Sequence, residues 1–111
     1  MGEGNGNIRG GPDGNWEGAF TTGDGFGIRV AGTFSPPIPF FVELAILQYT
    51  ELADLVGTFN MTQGATMGPA TITLPFISNK GHPVTILGPL VPPFPDPEPI
   101  PIKGKGTWAI L

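Results

Sequence analysis

The chain reads as a mainly β domain: a small antiparallel barrel or roll of about six to eight strands, with one helix over 40–56. Three observations predict this. Eighteen glycines and 14 prolines among 111 residues interrupt the chain every few positions, as short strands joined by tight turns require. Between the interruptions apolar and polar residues alternate with the period of two that a half-buried strand shows. The hydrophobic share is 40 %, with eight Phe and two Trp, so a Gly and Pro content that would mean disorder in a polar chain accompanies enough apolar area to drive folding.

Residues 1–14 are Gly- and Asn-rich with little to bury, and they read as a flexible arm ahead of a single domain over 15–111. Asn15 to Thr22 alternates, with Trp16, Gly18 and Phe20 on one face and Glu17, Ala19 and Thr21 on the other. Gly23-Asp24-Gly25 supplies a hairpin turn, and Phe26 to Phe34 alternates again with Phe26, Ile28, Val30 and Phe34 on one side. Placing Thr22 opposite Phe26 sets Phe20 across from Ile28 and Trp16 across from Gly32, a large ring over a bare glycine. Ser35 to Pro39 is a stiff connector.

Phe40 to Val56 is the longest run free of Gly and Pro. Phe41, Leu44, Ala45, Gln48, Leu52 and Leu55 fall at helical spacing, Pro39 suits the first helical position, and Gly57 suits the residue just past the end. The alternative is a strand over Phe40–Tyr49 buried on both faces. It would need a turn inside Thr50–Val56, where no turn sequence stands.

Beyond it, Gly57 to Gln63 reads as a strand with Phe59 and Met61 together. Ala70 to Ile77 is another, with Ile72, Leu74 and Phe76 inward and Pro75 calling for an edge or bulge. Ser78 to His82 is a turn, and Val84 to Leu87 a minor strand. Gly88 to Pro101, with proline at nearly alternate positions, reads as a polyproline strap across the surface. Ile102 to Leu111 closes the chain as a strand with Ile102, Trp108 and Ile110 on one face and Lys103, Lys105 and Thr107 on the other.

Gly14-Asn15-Trp16 resembles the G-x-W opening strand of lipocalin-like and avidin-like barrels, and Gly106-Thr107-Trp108 repeats the triplet in the last strand. Size and strand pattern are also similar to the small barrels of allene oxide cyclase and dirigent proteins. The resemblance covers a few residues and implies a small barrel that binds an apolar molecule, with cyclisation or isomerisation guided by shape. The ligand-binding set is then Trp16, Phe20, Phe26, Phe34, Tyr49, Met61, Met67, Phe76 and Trp108. The alternative is that these rings simply fill the core, the commoner outcome in a domain this small.

Composition narrows the remaining classes. Nine acidic residues against five basic ones give no cationic surface for nucleic acid. The absence of cysteine removes disulfides, thiolate metal sites and a cysteine nucleophile. No apolar leader and no run of about 18 apolar residues is present, so the expected partners include no membrane span and the default compartment is the cytoplasm. With one His, one Tyr and two Ser, His82 and Ser78 find no acid nearby in sequence to complete a triad, so no catalytic residue is assigned. Glu43 and Tyr49, in an apolar run, are where an acid or base would be sought. Asp96 and Glu98 lack the further oxygen ligands calcium takes, and no metal or cofactor is expected. A charged share of 13 % is low for a small soluble monomer. That favours a homo-oligomer, and with it the competing class of a self-assembling structural protein of a shell or filament.

Overall fold

The computed structural model describes residues 2–78, 80–95 and 97–111, which leaves Asn79 of the expected turn and Asp96 of the carboxylate pair outside the described residues. In chain order the elements are β1 (Gly2–Gly10), β2 (Asn15–Thr22), β3 (Gly27–Ser35), β4 (Phe40–Tyr49), a 3-10 turn (Leu52–Leu55), β5 (Gly57–Met61), β6 (Thr66–Met67), β7 (Thr71–Ile77), β8 (Pro83–Pro89), β9 (Ile100–Pro101) and β10 (Lys103–Ile110). Eight of the strands close into an antiparallel barrel in the order β1-β2-β3-β10-β5-β7-β8-β4 and back to β1. The short β6 pairs with the same edge of β7 that β5 uses further along, with Met67 buried in the core, and β9 pairs with β6. Closure leaves no long edge strand to be protected from stray pairing.

Alternation along each strand fills the barrel. Trp16, Phe20, Ile28, Val30, Phe59, Ile72, Leu74, Phe76, Val84, Ile86 and Trp108 all point inward and are buried in one core. Glu3, Arg9, Glu17, Arg29, Lys103 and Lys105 point outward. Apolar inside and charged outside is the reverse of a lipid-facing barrel. No described helix is long and apolar enough to cross a membrane.

The first hairpin forms in the expected register, with Phe20 opposite Ile28 and Trp16 opposite Gly32. The Trp16 ring leans one strand further, over Gly106, and its Nε1 donates to the Lys105 carbonyl at 3.1 Å. At Gly32 a Cβ would overlap the Lys105 carbonyl, so β3 and β10 can approach this closely only because Gly32 has no side chain.

Two expectations are corrected. The helix over 40–56 is instead β4 followed by the 3-10 turn Leu52–Leu55. Register against β1 jumps from Gly6–Ala45 to Ile8–Val42, so Glu43 and Leu44 form a bulge. The buried residues then fall at Phe40, Val42, Ala45, Leu47 and Tyr49, and the extra step of three amid steps of two imitates helical spacing. Phe41, Leu44 and Gln48, assigned to the buried helix face, are exposed. The flexible arm is corrected as well: Gly2–Gly10 is β1, hydrogen-bonded between β2 and β4. Its glycines carry no apolar signal, yet bare positions are what its neighbours need, since Tyr49 packs where a Gly2 side chain would stand and Phe40 where a Gly10 side chain would stand.

The two ends are covered differently. Chain reversals at 11–14, 36–39, 62–70 and 90–102 gather at one end. The proline-rich segment contributes buried Leu90 there, and Phe94 donates its backbone N–H to the Pro69 carbonyl and lies against Gly68. Gly88–Pro89 and Ile100–Pro101 belong to strands β8 and β9, which leaves a shorter strap than expected. The opposite end holds the turns at 23–26 and 78–82 and the 3-10 turn, whose Leu55 is fully buried.

Candidate functional site

Three parts of the molecule qualify: the aromatic interior, a buried polar cluster at one end, and the outer face of β4 and β8.

In the interior Phe76 stacks on Trp16 with ring centroids 5.9 Å apart and planes 23° apart, and meets Trp108 edge to face at 5.8 Å and 88°. Phe59 lies 5.6 Å from Trp108, and Phe34 meets Phe40 at 5.3 Å. Of the expected ligand-binding residues, Trp16, Phe20, Phe34, Tyr49, Met67, Phe76 and Trp108 are buried, and Met61 is half-buried. Phe26 is exposed at the β2–β3 turn, because the turn takes it out of the alternating face. The buried rings pack against one another as a core does. One group is left over. Trp108 Nε1 is buried and has no hydrogen-bond partner among the described residues, a state that costs about 1–3 kcal/mol.

The polar cluster joins elements far apart in sequence. Asp54, fully buried, accepts from the Ser78 hydroxyl at 2.7 Å and from the Glu51 backbone N–H at 2.9 Å. His82 Nδ1 lies 3.1 and 3.2 Å from its two oxygens, so the proton of that pair sits on Nδ1. Ser78 Oγ in turn accepts the backbone N–H groups of Lys80 and His82, both at 3.2 Å. Burial pushes the Asp54 carboxyl up, but the Ser78, Glu51 and His82 contacts outweigh it and hold the group below its ordinary value. The residue types are those of a hydrolytic triad, whereas the wiring is not. A nucleophilic serine passes its proton to the imidazole, and Ser78 points its proton at the carboxylate. The arrangement is a clamp between the 3-10 turn and the β7–β8 turn, edged by the exposed Lys80–Glu51 ion pair at 3.1 Å.

Sequence reasoning placed His82 and Ser78 in a turn and missed Asp54, which lies 24 residues from Ser78 and is brought to it by barrel closure. A carboxylate inside the otherwise apolar LADLV was the available signal. Glu43, the other acid considered, is exposed on the β4 bulge, and Tyr49 is buried against Gly2. Among the described residues no group of three His, Cys, Asp or Glu gathers as metal ligands do.

The exterior is divided. On β1, β2, β3 and β10 the outward side chains include two acids, Glu3 and Glu17, and four bases, Arg9, Arg29, Lys103 and Lys105, with Arg9 bound to Glu17 (Nε to Oε1, 2.8 Å). Two adjoining grooves of about 720 and 690 Å³ run over this half and share Arg9, Glu17, Ala31 and Thr107. On β4 and β8 the outward side chains are mostly apolar, with Glu43, Gln48 and Thr85 among them. Ile46 pairs with Leu87, Leu44 borders Gly88 through its carbonyl, and Val91 donates its N–H to the Phe41 carbonyl. These contacts place Phe41 beside Val91, Leu44 beside Gly88 and Ile46 beside Leu87 along the barrel. Leu44 is 72 % exposed and Val91 46 %.

Comparison with known proteins finds no family model, no curated protein and no solved structure that matches the chain. Of the resemblance to lipocalin-like and avidin-like barrels, what stands is a closed antiparallel barrel of eight strands. The winding differs from a simple up-and-down meander, in which sequence neighbours pair in turn. Here β1 takes both β2 and β4, and the last strand inserts between β3 and β5.

Proposed function

We propose that this barrel is an assembly module that pairs with a second copy of itself along the β4–β8 stripe. The observation that carries the reading is a row of exposed Phe41, Leu44 and Val91 with half-buried Ile46 and Leu87, on a barrel whose opposite half is charged. The largest apolar patch on a small protein is often a functional contact. Glu43 is the one outward charge on β4, β7 and β8, so two copies can meet face to face with little like-charge repulsion, while their charged halves stay in water.

Magnitude decides what kind of contact this is. About six residues along two or three strands span roughly 20 Å by 10–14 Å, on the order of a few hundred Å² per copy. A standard stable complex buries about 800 Å² per partner. The pair is accordingly weak and concentration-dependent, and a shell or filament would need a second contact surface to link such pairs. Replacing Leu44 by Glu places a carboxylate in the centre of the stripe, and solution mass is the readout that tests the reading.

A second reading, binding of an apolar small molecule, is favoured by one separate observation, the unpartnered Trp108 Nε1 among the core rings. Under that reading the barrel could guide a cyclisation or isomerisation by shape.

A further inference from the structure

Charge on the barrel surface is sorted rather than mixed. Across the ring from β4 and β8 stand β3, β10 and β5. The side chains that point outward on these three strands are Arg29, Ala31, Thr33 and Ser35, then Lys103, Lys105, Thr107 and Ala109, then Thr58 and Asn60. Three are cations, none is an acid, and the others are all small. The rest of the chain holds all nine acids with the two other bases, a net charge of −7 set against +3 on this face. Arg29, Lys103 and Lys105 are exposed and have no carboxylate partner among the described residues. The ladder explains why. Arg29 stands between Ala19 and Ala109, Lys105 between Thr33 and Asn60, and Lys103 beside Ser35. Glu17, diagonal to Arg29 on β2, is taken up by Arg9.

We infer that this face docks a short, extended acidic segment of a partner polypeptide, with carboxylates at alternate positions. Charge complementarity carries the inference. Lys103 and Lys105 are two residues apart on one strand, so they stand about 7 Å apart, which is also the repeat of alternate side chains along an extended peptide laid beside β10. Arg29, level with Ala109 on the next strand, lies about 13 Å beyond Lys105 and offers a planar fork to a further carboxylate. Between the cations, hydroxyl and amide groups of Thr33, Thr107 and Asn60 suit the polar groups of a peptide backbone. Length selects the partner class. The face runs about 20 Å along β10 from Lys103 to Ala109. Duplex nucleic acid or a sulfated polysaccharide would extend past it and meet the acidic remainder within a Debye length of about 8–10 Å. A segment of a few residues stays on the cations. The contact is exposed to solvent, so it is weak and salt-dependent. Lying across the ring from β4 and β8, the face remains accessible when two copies pair, and the inference does not depend on that pairing.

The test uses the intact chain and its backbone signals in a proton–nitrogen NMR spectrum at about 50 mM salt. The probe is a short peptide of alternating glutamate and serine, compared with a lysine and serine peptide and with dextran sulfate. The expected result is saturable movement of the Arg29, Lys105 and Thr107 signals by the acidic peptide and not by the basic one, with affinity falling at least about tenfold at about 500 mM salt. Arg29→Glu with Lys105→Glu should bind at least about tenfold more weakly while keeping the wild-type circular dichroism spectrum. Glu43→Gln, on the far side of the barrel, should bind as the wild type does. No saturable movement of these signals, or equal binding by the double variant, overturns the inference. Tighter binding of dextran sulfate at the same residues overturns the polypeptide assignment in favour of a polysaccharide. Association of a Leu44→Glu chain at this low salt, abolished by reversing Arg29 and Lys105, would make a second copy the occupant and overturn it as well.

Discussion

Ser78 donates its hydroxyl to Asp54 Oδ1 at 2.7 Å, and this bond ties the β7–β8 turn to the 3-10 turn that covers one end of the barrel. Because Asp54 is fully buried, truncation leaves Ser78, His82 and the Glu51 N–H without their acceptor. Asp54→Ala should therefore cost about 2–4 kcal/mol, measured as the fall in unfolding free energy in urea. Asp54→Asn keeps the shape and one acceptor oxygen and should cost less.

The same carboxylate gives the fold an acid limb. Its folded-state value is depressed below that of the unfolded chain, so the unfolded state takes up the proton first as pH falls. Its contribution is complete above about pH 4, the ordinary carboxyl range, and is lost as pH falls through the lower folded-state value. Urea midpoints should be flat from neutral pH down to that range and drop below it. In Asp54→Asn the drop should be shallower, and an unchanged drop would assign the acid limb to other carboxylates.

Gly32 stands where a Cβ would overlap the Lys105 carbonyl. Gly32→Ala has to push β10 away from β3 in the middle of their ladder, an overpacking cost of about 1–3 kcal/mol or more. A thermal melt should show the loss, and a melt within error of wild type would mean that the two strands can separate freely.

Arg9 and Glu17 form the shortest ion pair in the protein among the described residues, yet their side chains are 71 % and 58 % exposed. Arg9→Ala should change stability by no more than about 1 kcal/mol, in contrast to the buried Asp54 cluster. Paired melts of the two variants compare burial with distance as the source of stability.

Much of the fold was legible in local patterning. The register of β2 on β3, the inward set Ile72, Leu74 and Phe76, and the outward set Lys103, Lys105 and Thr107 follow from alternation alone. What alternation could not show depends on distant partners. The β4 bulge at Glu43–Leu44 shifts the phase of one strand and so imitates a helix. β1 lacks an apolar pattern because its value lies in being bare beside Tyr49 and Phe40. Asp54 meets Ser78 and His82 only when β5 and β7 close the ring. The low overall charge did point to an uncovered apolar surface, but only the pairing of β4 with β8 shows that Phe41, Leu44, Ile46 and Leu87 lie in one row. Deleting Gly2–Gly10, harmless to the fold if those residues were a loose arm, should instead leave one edge each of β2 and β4 unpaired, open the barrel and leave the chain unfolded by circular dichroism.

The central claim is that the stripe is a contact between copies, and solution mass tests it most directly. Light scattering after size exclusion, from about 1 μM to about 1 mM, should show the wild-type mass rising from one chain toward two. Leu44→Glu and Val91→Glu should each stay at one chain throughout, with stability changed by no more than about 0.5 kcal/mol, as expected for surface substitutions. A wild-type chain that remains a single copy across the whole range, or a Leu44→Glu chain that associates as the wild type does, would contradict it.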